Sequence, residues 1–123
     1  FNVVAAPSDT PVRPLPLVVK PALEGSTLGV SIVHDRNNWH DALNMAFRYD
    51  DKVLAETYVE GKEITAAILD GTPLPLIHIE PIEGFYDFTS KYTPGHTLYH
   101  VPASLDAAVS QQLQDLAVQA FNT

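Results

Sequence analysis

The sequence has no cysteine, which excludes disulfides and thiolate metal sites and fits a cytosolic protein. Basic residues are scarce as well. Seven Lys and Arg face fifteen Asp and Glu, for a formal charge of −8. No broad basic surface is therefore available for a nucleic-acid backbone or an anionic membrane, although two lysines placed in a cleft suffice for a nucleotide. No apolar run reaches the ~20 residues of a membrane span, and no signal sequence opens the chain. An initiator methionine is missing too: Phe1 begins inside an apolar segment, which reads as a cut or processed product. There is no GxGxxG, no HExxH and no nucleophile elbow.

What is present is a chain of 123 residues, 46% apolar and 18% charged, the size of one ordinary domain. Phe1–Ala5 has strand character, and Pro7–Pro16, with four prolines, reads as an extended connector. Leu17–Val19 is a buried-looking strand stopped by Lys20-Pro21. Gly25–Gly29 is a small-residue loop, and Val30–Val33 is a further strand. Asp35 or Asn37 can cap a helix whose apolar stripe is Trp39, Leu43, Ala46 and Phe47. Lys52–Val59 and Glu63–Leu69 read as strands around Glu60-Gly61-Lys62. The Asp70-Gly71 turn leads to a third, Leu74–Ile79, and so to an antiparallel meander. Pro81–Pro102 shows little periodicity and reads as an ordered lid rich in aromatic residues. Ser104 caps a last helix with the stripe Leu105, Ala108, Val109, Leu113, Leu116, Ala117, Ala120 and Phe121.

Three places could carry chemistry. In Val19-Lys20-Pro21-Ala22-Leu23-Glu24-Gly25-Ser26-Thr27-Leu28-Gly29, a strand delivers a lysine just before a Gly/Ser/Thr loop. Phosphate oxygens ask for that combination of point charge, hydroxyls and closely approaching backbone N–H groups. An ordinary strand–turn–strand has the same look. Glu56 and Glu63 flank Gly61 and could accept from an adenine amino group or ribose hydroxyls, or be two solvated acids. Lys91-Tyr92 could close over phosphates on a flap, or belong to a plain surface loop. The histidines show no ligand spacing at His34, His40 and His78. Pro94-Gly95 breaks any helix that would put His96 and His100 on one face, so no metal ligand is expected.

In order and spacing, these three signals resemble the D-alanine–D-alanine ligases, members of the ATP-grasp superfamily. Leu17-Val-Val-Lys-Pro-Ala-Leu-Glu-Gly-Ser-Thr-Leu-Gly-Val-Ser31 is similar to that family's Lys-Pro strand and Glu-Gly-Ser-Ser-x-Gly-x-Ser loop. Val53-Leu-Ala-Glu56 with Glu60-Gly-Lys-Glu63 resembles its adenine hinge and ribose contact. Phe85-Tyr-Asp-Phe-Thr-Ser-Lys-Tyr92 resembles its lid, and Val101-Pro-Ala103 with the closing helix is similar to the family's stretch beyond the lid. The likeness runs from about Leu17 to the end, with Thr27 in place of a serine and Phe88 in place of a tyrosine.

The resemblance implies an α+β, ATP-grasp-like fold: an antiparallel sheet with packed helices and a long lid loop at about 81–102, incomplete relative to the full family fold. Residues 1–16 would be a leading strand and connector, and 17–123 a partial ATP-grasp central domain. It implies that Lys20 and Lys91 contact ATP phosphates, that Glu56 faces adenine beside the backbone of Thr57–Val59, and that Glu63 binds ribose. Glu24, Ser26 and Thr27 would belong to the loop over the reacting groups, with Tyr92 closing the lid towards Ser26. The implied reaction makes D-Ala-D-Ala for peptidoglycan in the cytoplasm from ATP and two D-alanines, and a Lys-Tyr lid accompanies amine acceptors. The alternatives are another carboxylate–amine or D-Ala–D-lactate ligase and a non-catalytic nucleotide-binding module. Mg²⁺ is expected only in the full-length enzyme, because the family's metal ligands come after the last helix. The chain alone is therefore expected to be inactive. Neither a nucleic-acid nor a membrane partner is expected, and an exposed sheet edge would favour self-association.

Overall fold

A computed structural model of the chain describes residues 1–82, 91, 93 and 95–123. It is α+β, with antiparallel sheets and two α-helices among the described residues. The chain divides into two compact units, one built on Phe1–Glu60 and the other holding the described residues from Gly61 onward, apart from Lys91.

The first unit is a four-stranded antiparallel sheet in the order β1-β4-β2-β3, from β1 (Asn2–Val4), β2 (Leu17–Pro21), β3 (Ser31–Val33) and β4 (Val53–Thr57). Strand alternation decides its two faces. Leu17 and Val19 of β2 and Val53 and Ala55 of β4 point inward, where they meet Val4, Val33 and helix α1 (Trp39–Ala46). Trp39, Leu43 and Ala46 lie on the buried side of that helix, as their i, i+4, i+7 spacing requires. Burying Trp39 or Leu43 stabilises the unit by about 1.5–3 kcal/mol each. Asp35 caps a short 3₁₀ turn (Arg36–Asn38) that leads into α1, its carboxylate accepting from the Asn37 N–H at 2.8 Å.

The proline-rich stretch after β1 contains no helix or strand, and polar contacts hold it. The Asp9 carboxylate accepts from the Ala5 and Ala6 amides at 2.9 and 3.1 Å. The Trp39 indole N–H donates to the Asp9 carbonyl at 2.6 Å, which satisfies the one polar atom of a buried aromatic.

The second unit holds β5 (Glu63–Thr65), β8 (Ile77–Pro81) and β9 (Thr97–His100) in a three-stranded antiparallel sheet ordered β5-β8-β9. It also holds a two-stranded hairpin, β6 (Ile68–Leu69) and β7 (Thr72–Pro73), around Asp70-Gly71, and helix α2 (Ala107–Phe121). Asp70 and Gly71 both have positive φ, at 48° and 77°, which is what a tight hairpin of this hand needs. Leu76 and Ala103 are its only buried apolar residues among those described, joined by an Ala103 N–H to Leu76 C=O bond of 2.8 Å.

Several elements differ from the sequence reading. β4 does not pair with β5: both its edges are taken, by β1 and β2, because Val53 and Ala55 serve the α1 core whereas Glu63 and Thr65 are exposed. The expected strand over Glu63–Leu69 is two short strands in separate sheets. Thr97–His100, within the segment that shows little periodicity, is a strand paired with β8. The N-cap position of the last helix is Asp106 and not Ser104, because extended backbone at Asp106 (φ −60°, ψ 142°) delays the first turn to Ala107, and the Asp106 side chain makes no capping bond. That helix buries no residue fully, and Val109, Leu116 and Phe121 of its apolar stripe stay exposed. No helix among the described residues is long and apolar enough to cross a membrane.

Candidate functional site

The face of the first sheet turned away from α1 carries the charged residues. Lys20 and Glu56 occupy the non-core positions of β2 and β4, two central strands, where each is half-buried. In the register Lys20 opposes Leu54 and Val18 opposes Glu56, so the two are diagonal neighbours on one face. Their side chains close the diagonal with an ion pair of 2.7 Å, at 35% and 34% side-chain exposure. At that exposure the pair contributes about 0–1 kcal/mol to the fold. It aligns the ammonium and the carboxylate without locking them, so either can exchange its partner for a ligand.

The loop after β2 is unusual in its backbone. The Leu28 N–H donates to the Gly25 carbonyl at 3.1 Å, and the two residues between them, Ser26 and Thr27, have φ of 54° and 60°. Positive φ at both central positions is the mark of a type I′ turn, which normally calls for Asn or Gly. A β-branched residue in left-handed backbone costs about 1–2 kcal/mol, and such strain gathers where a ligand is met. The Thr27 hydroxyl donates to the Ser26 carbonyl at 2.6 Å. Gly29 comes next with φ of 69°, lying against Pro21, so the loop returns to the strand end beside Lys20.

Asp50, a few residues beyond the end of α1, anchors this loop. Its carboxylate accepts from the Leu23 N–H at 2.7 Å and the Lys52 N–H at 3.0 Å. Those bonds, Lys52 first, hold its pKa below the usual aspartate range against a desolvation that works the other way. Because the folded-state pKa is depressed, the anchoring is present above the ordinary aspartate value and is lost as pH falls through the lower one. The Leu23 and Lys52 amide resonances should therefore titrate together, with a midpoint below that of an exposed aspartate, and Asp50→Asn should abolish the transition. A midpoint in the ordinary range would refute the anchor. No spacing rule marks Asp50, because its partners lie 27 and two residues away.

The remaining expected residues are more scattered. Glu24 is exposed at the loop's start. Thr57 ends β4, and Val59 beyond it is 82% exposed. Glu63 opens β5 in the second unit, opposite Ile79 and exposed to solvent. Lys91 is partly buried and groups with the first unit. Tyr92 and the Phe85–Ser90 part of the expected lid lie outside the described residues. A cavity of about 230 Å³ elsewhere in the first unit, lined by Val3, Val4, Arg13 and Trp39 among others, contains none of the expected nucleotide contacts.

A family model described as D-ala D-ala ligase C-terminus matches residues 10–123. The D-alanine–D-alanine ligase of Syntrophotalea carbinolica is 55% identical over 106 residues, covering 86% of this chain and 35% of the relative. That of Methylacidiphilum infernorum is 42% identical over 122 residues, 99% of this chain and 40% of the relative. Among solved structures, D-alanine–D-alanine ligase from Bacillus anthracis complexed with ATP has a TM-score of 0.70 at 29% identity, covering 98% of this chain and 40% of that one. VanG D-Ala:D-Ser ligase from Enterococcus faecalis has a TM-score of 0.71 at 30% identity, covering 88% and 32%. The chain thus spans between about a third and two-fifths of the length of these relatives.

Proposed function

Because this chain belongs to the D-ala D-ala ligase C-terminus family, we propose that it is the ATP-binding portion of a D-alanine–D-alanine ligase. In the whole enzyme, the γ-phosphoryl of ATP passes to the carboxylate of one D-alanine. The amine of a second then attacks the acyl phosphate, releasing phosphate and forming the dipeptide used in peptidoglycan. Little covalent work falls to the protein in such a transfer; positioning and charge neutralisation dominate.

The observation that carries the reading is the Lys20–Glu56 pair at the mouth of a strained Gly/Ser/Thr turn. ATP exchanges both partners of that pair. The Lys20 ammonium turns to phosphate oxygens, and the Glu56 carboxylate accepts from the adenine amino group. Thr57 and Val59 supply hinge backbone, and Glu63 accepts from ribose hydroxyls. Glu24, Ser26 and Thr27 lie over the reacting groups, and Lys91 and Tyr92 close the lid.

The residues described do not fit a Mg²⁺ site. The one cluster among them with three donor side chains, His78, Glu80 and His100, is rich in imidazole, whereas Mg²⁺ requires oxygen ligands.

The base supplies the test. Glu56 as an acceptor matches the amino group of adenine and opposes the carbonyl oxygen of guanine. Calorimetric titration should give saturable ATP binding and at least about tenfold weaker GTP, from one hydrogen bond gained and one acceptor opposed. Glu56→Ala should erase that preference. It should cost less ATP affinity than loss of Lys20, because removing the carboxylate also releases the lysine from its ion pair. Equal binding of ATP and GTP to the unaltered chain would sink the assignment.

The VanG likeness supports a second acceptor. Its TM-score of 0.71 stands beside 0.70 for the Bacillus anthracis D-alanine–D-alanine ligase, so backbone shape does not choose between D-alanine and D-serine. Acceptor competition in the full-length enzyme separates them.

A further inference from the structure

A second constellation lies in the other unit and owes nothing to the nucleotide reading. His78 and Glu80 are two apart on β8, so they share a face of the sheet. His100 of β9 stands directly opposite His78 in the antiparallel register and joins them on that face. The His100 Nε2 and a Glu80 oxygen are 2.6 Å apart, and the two imidazoles stack with centroids 5.3 Å apart and planes at 24°. One donor atom from each of the three residues lies within 4.8 Å of the others.

We propose that His78, Glu80 and His100 form a binding site for a divalent transition-metal ion, with Zn²⁺ as the type case. Two imidazole nitrogens and one carboxylate oxygen make a three-ligand set that a water completes to a tetrahedron. Imidazole-rich donors select Zn²⁺, Cu²⁺ or Ni²⁺ over Mg²⁺ and Ca²⁺. Metal–ligand bonds of roughly 2.0–2.1 Å place tetrahedral donors about 3.4 Å apart. The widest separation, within 4.8 Å, must therefore shrink by at most about 1.4 Å, and the 2.6 Å Glu80–His100 contact must open by about 0.8 Å. Side-chain rotations supply both movements, since His100 and Glu80 are 45% and 51% exposed. The backbone needs no change, because the β8–β9 ladder already sets the spacing of all three Cα atoms.

The same exposure argues against a purely structural role, because a solvated histidine–carboxylate pair adds little to a fold. A bound ion would tie β8 to β9, the strands that flank residues 82–96. No linear motif announces the site. His78 and His100 are 22 apart in sequence, and only strand pairing makes them neighbours.

The test is a Zn²⁺ titration of the metal-stripped chain against a chromophoric competing chelator, with circular dichroism to confirm that each variant keeps its fold. The chain should bind one equivalent, and Mg²⁺ in large excess should not displace it. His78→Ala and His100→Ala should each weaken binding by about 100-fold or more, since loss of an outer-shell partner alone costs about 10–100-fold. His96→Ala should leave binding unchanged. Zn²⁺ should also shift the imidazole resonances of His78 and His100 and not those of His34 or His40, a readout that does not depend on any variant. The proposal is overturned if both alanine variants bind Zn²⁺ as tightly as the original, if His96 or the first-unit histidines respond instead, or if no Zn²⁺ binds at micromolar concentration.

Discussion

Replacing Lys20 by alanine should weaken ATP binding by about 1.5–3 kcal/mol, roughly 10- to 150-fold. A charge-assisted contact to phosphate is lost, and the loss has a second part. In the present structure the ammonium neutralises Glu56 at 2.7 Å. Without it, a half-buried carboxylate is left unneutralised beside an incoming polyanionic nucleotide, so the upper half of that range is expected. The fold should be almost untouched, because Lys20 lies on the face away from the core and its exposed pair contributes little. Lys20→Arg should recover only part of the affinity, since a planar guanidinium does not reproduce a compact point charge. Lys52, whose backbone N–H serves Asp50 while its side chain is exposed, is the control: Lys52→Ala should bind ATP normally. Unchanged affinity in Lys20→Ala, by calorimetry, would place the nucleotide elsewhere.

Gly29→Ala should cost about 2–5 kcal/mol of stability, from two causes that add. The backbone there has φ of 69°, which an L-residue adopts at about 1–2 kcal/mol. A Cβ would also sit 2.7 Å from the Tyr49 ring and 2.8 Å from Pro21 Cγ, closer than carbon atoms can pack. Neither neighbour yields easily, since a proline ring is rigid and Tyr49 directly precedes the Asp50 anchor, so overpacking adds about 1–3 kcal/mol. Gly25 is the internal comparison. Nothing lies within 4 Å of its hypothetical Cβ, so Gly25→Ala should change stability far less. Urea denaturation of the two variants decides the matter, and equal midpoints would show that the loop does not lie against Pro21 as described.

Much of the first unit was legible in the linear chain, for reasons visible residue by residue. Alternation at Leu17, Val19, Val53 and Ala55 marks strands with one buried face, and the Trp39–Leu43–Ala46 stripe marks the helix that covers them. The Lys20 strand end, the Gly25–Gly29 loop and Glu56 were readable because their residue types and order belong to a family pattern. The second unit read poorly. None of its strands buries a residue fully, so no buried face marks them, and its helix leaves in solvent an apolar stripe whose periodicity suits a core.

Residue chemistry along the chain was enough to set the family, to single out Lys20 as the candidate phosphate contact and to exclude cysteine chemistry, since each depends on identity and local spacing. The meeting of Lys20 with Glu56, the reach of Asp50 back to Leu23, the left-handed backbone at Ser26 and Thr27 and the stacking of His78 on His100 came only with the folded chain. Each arises from strand register or loop closure, which place residues tens of positions apart within bonding distance. That distance is set by hydrogen-bonded ladders and packing, and sequence separation carries no trace of it.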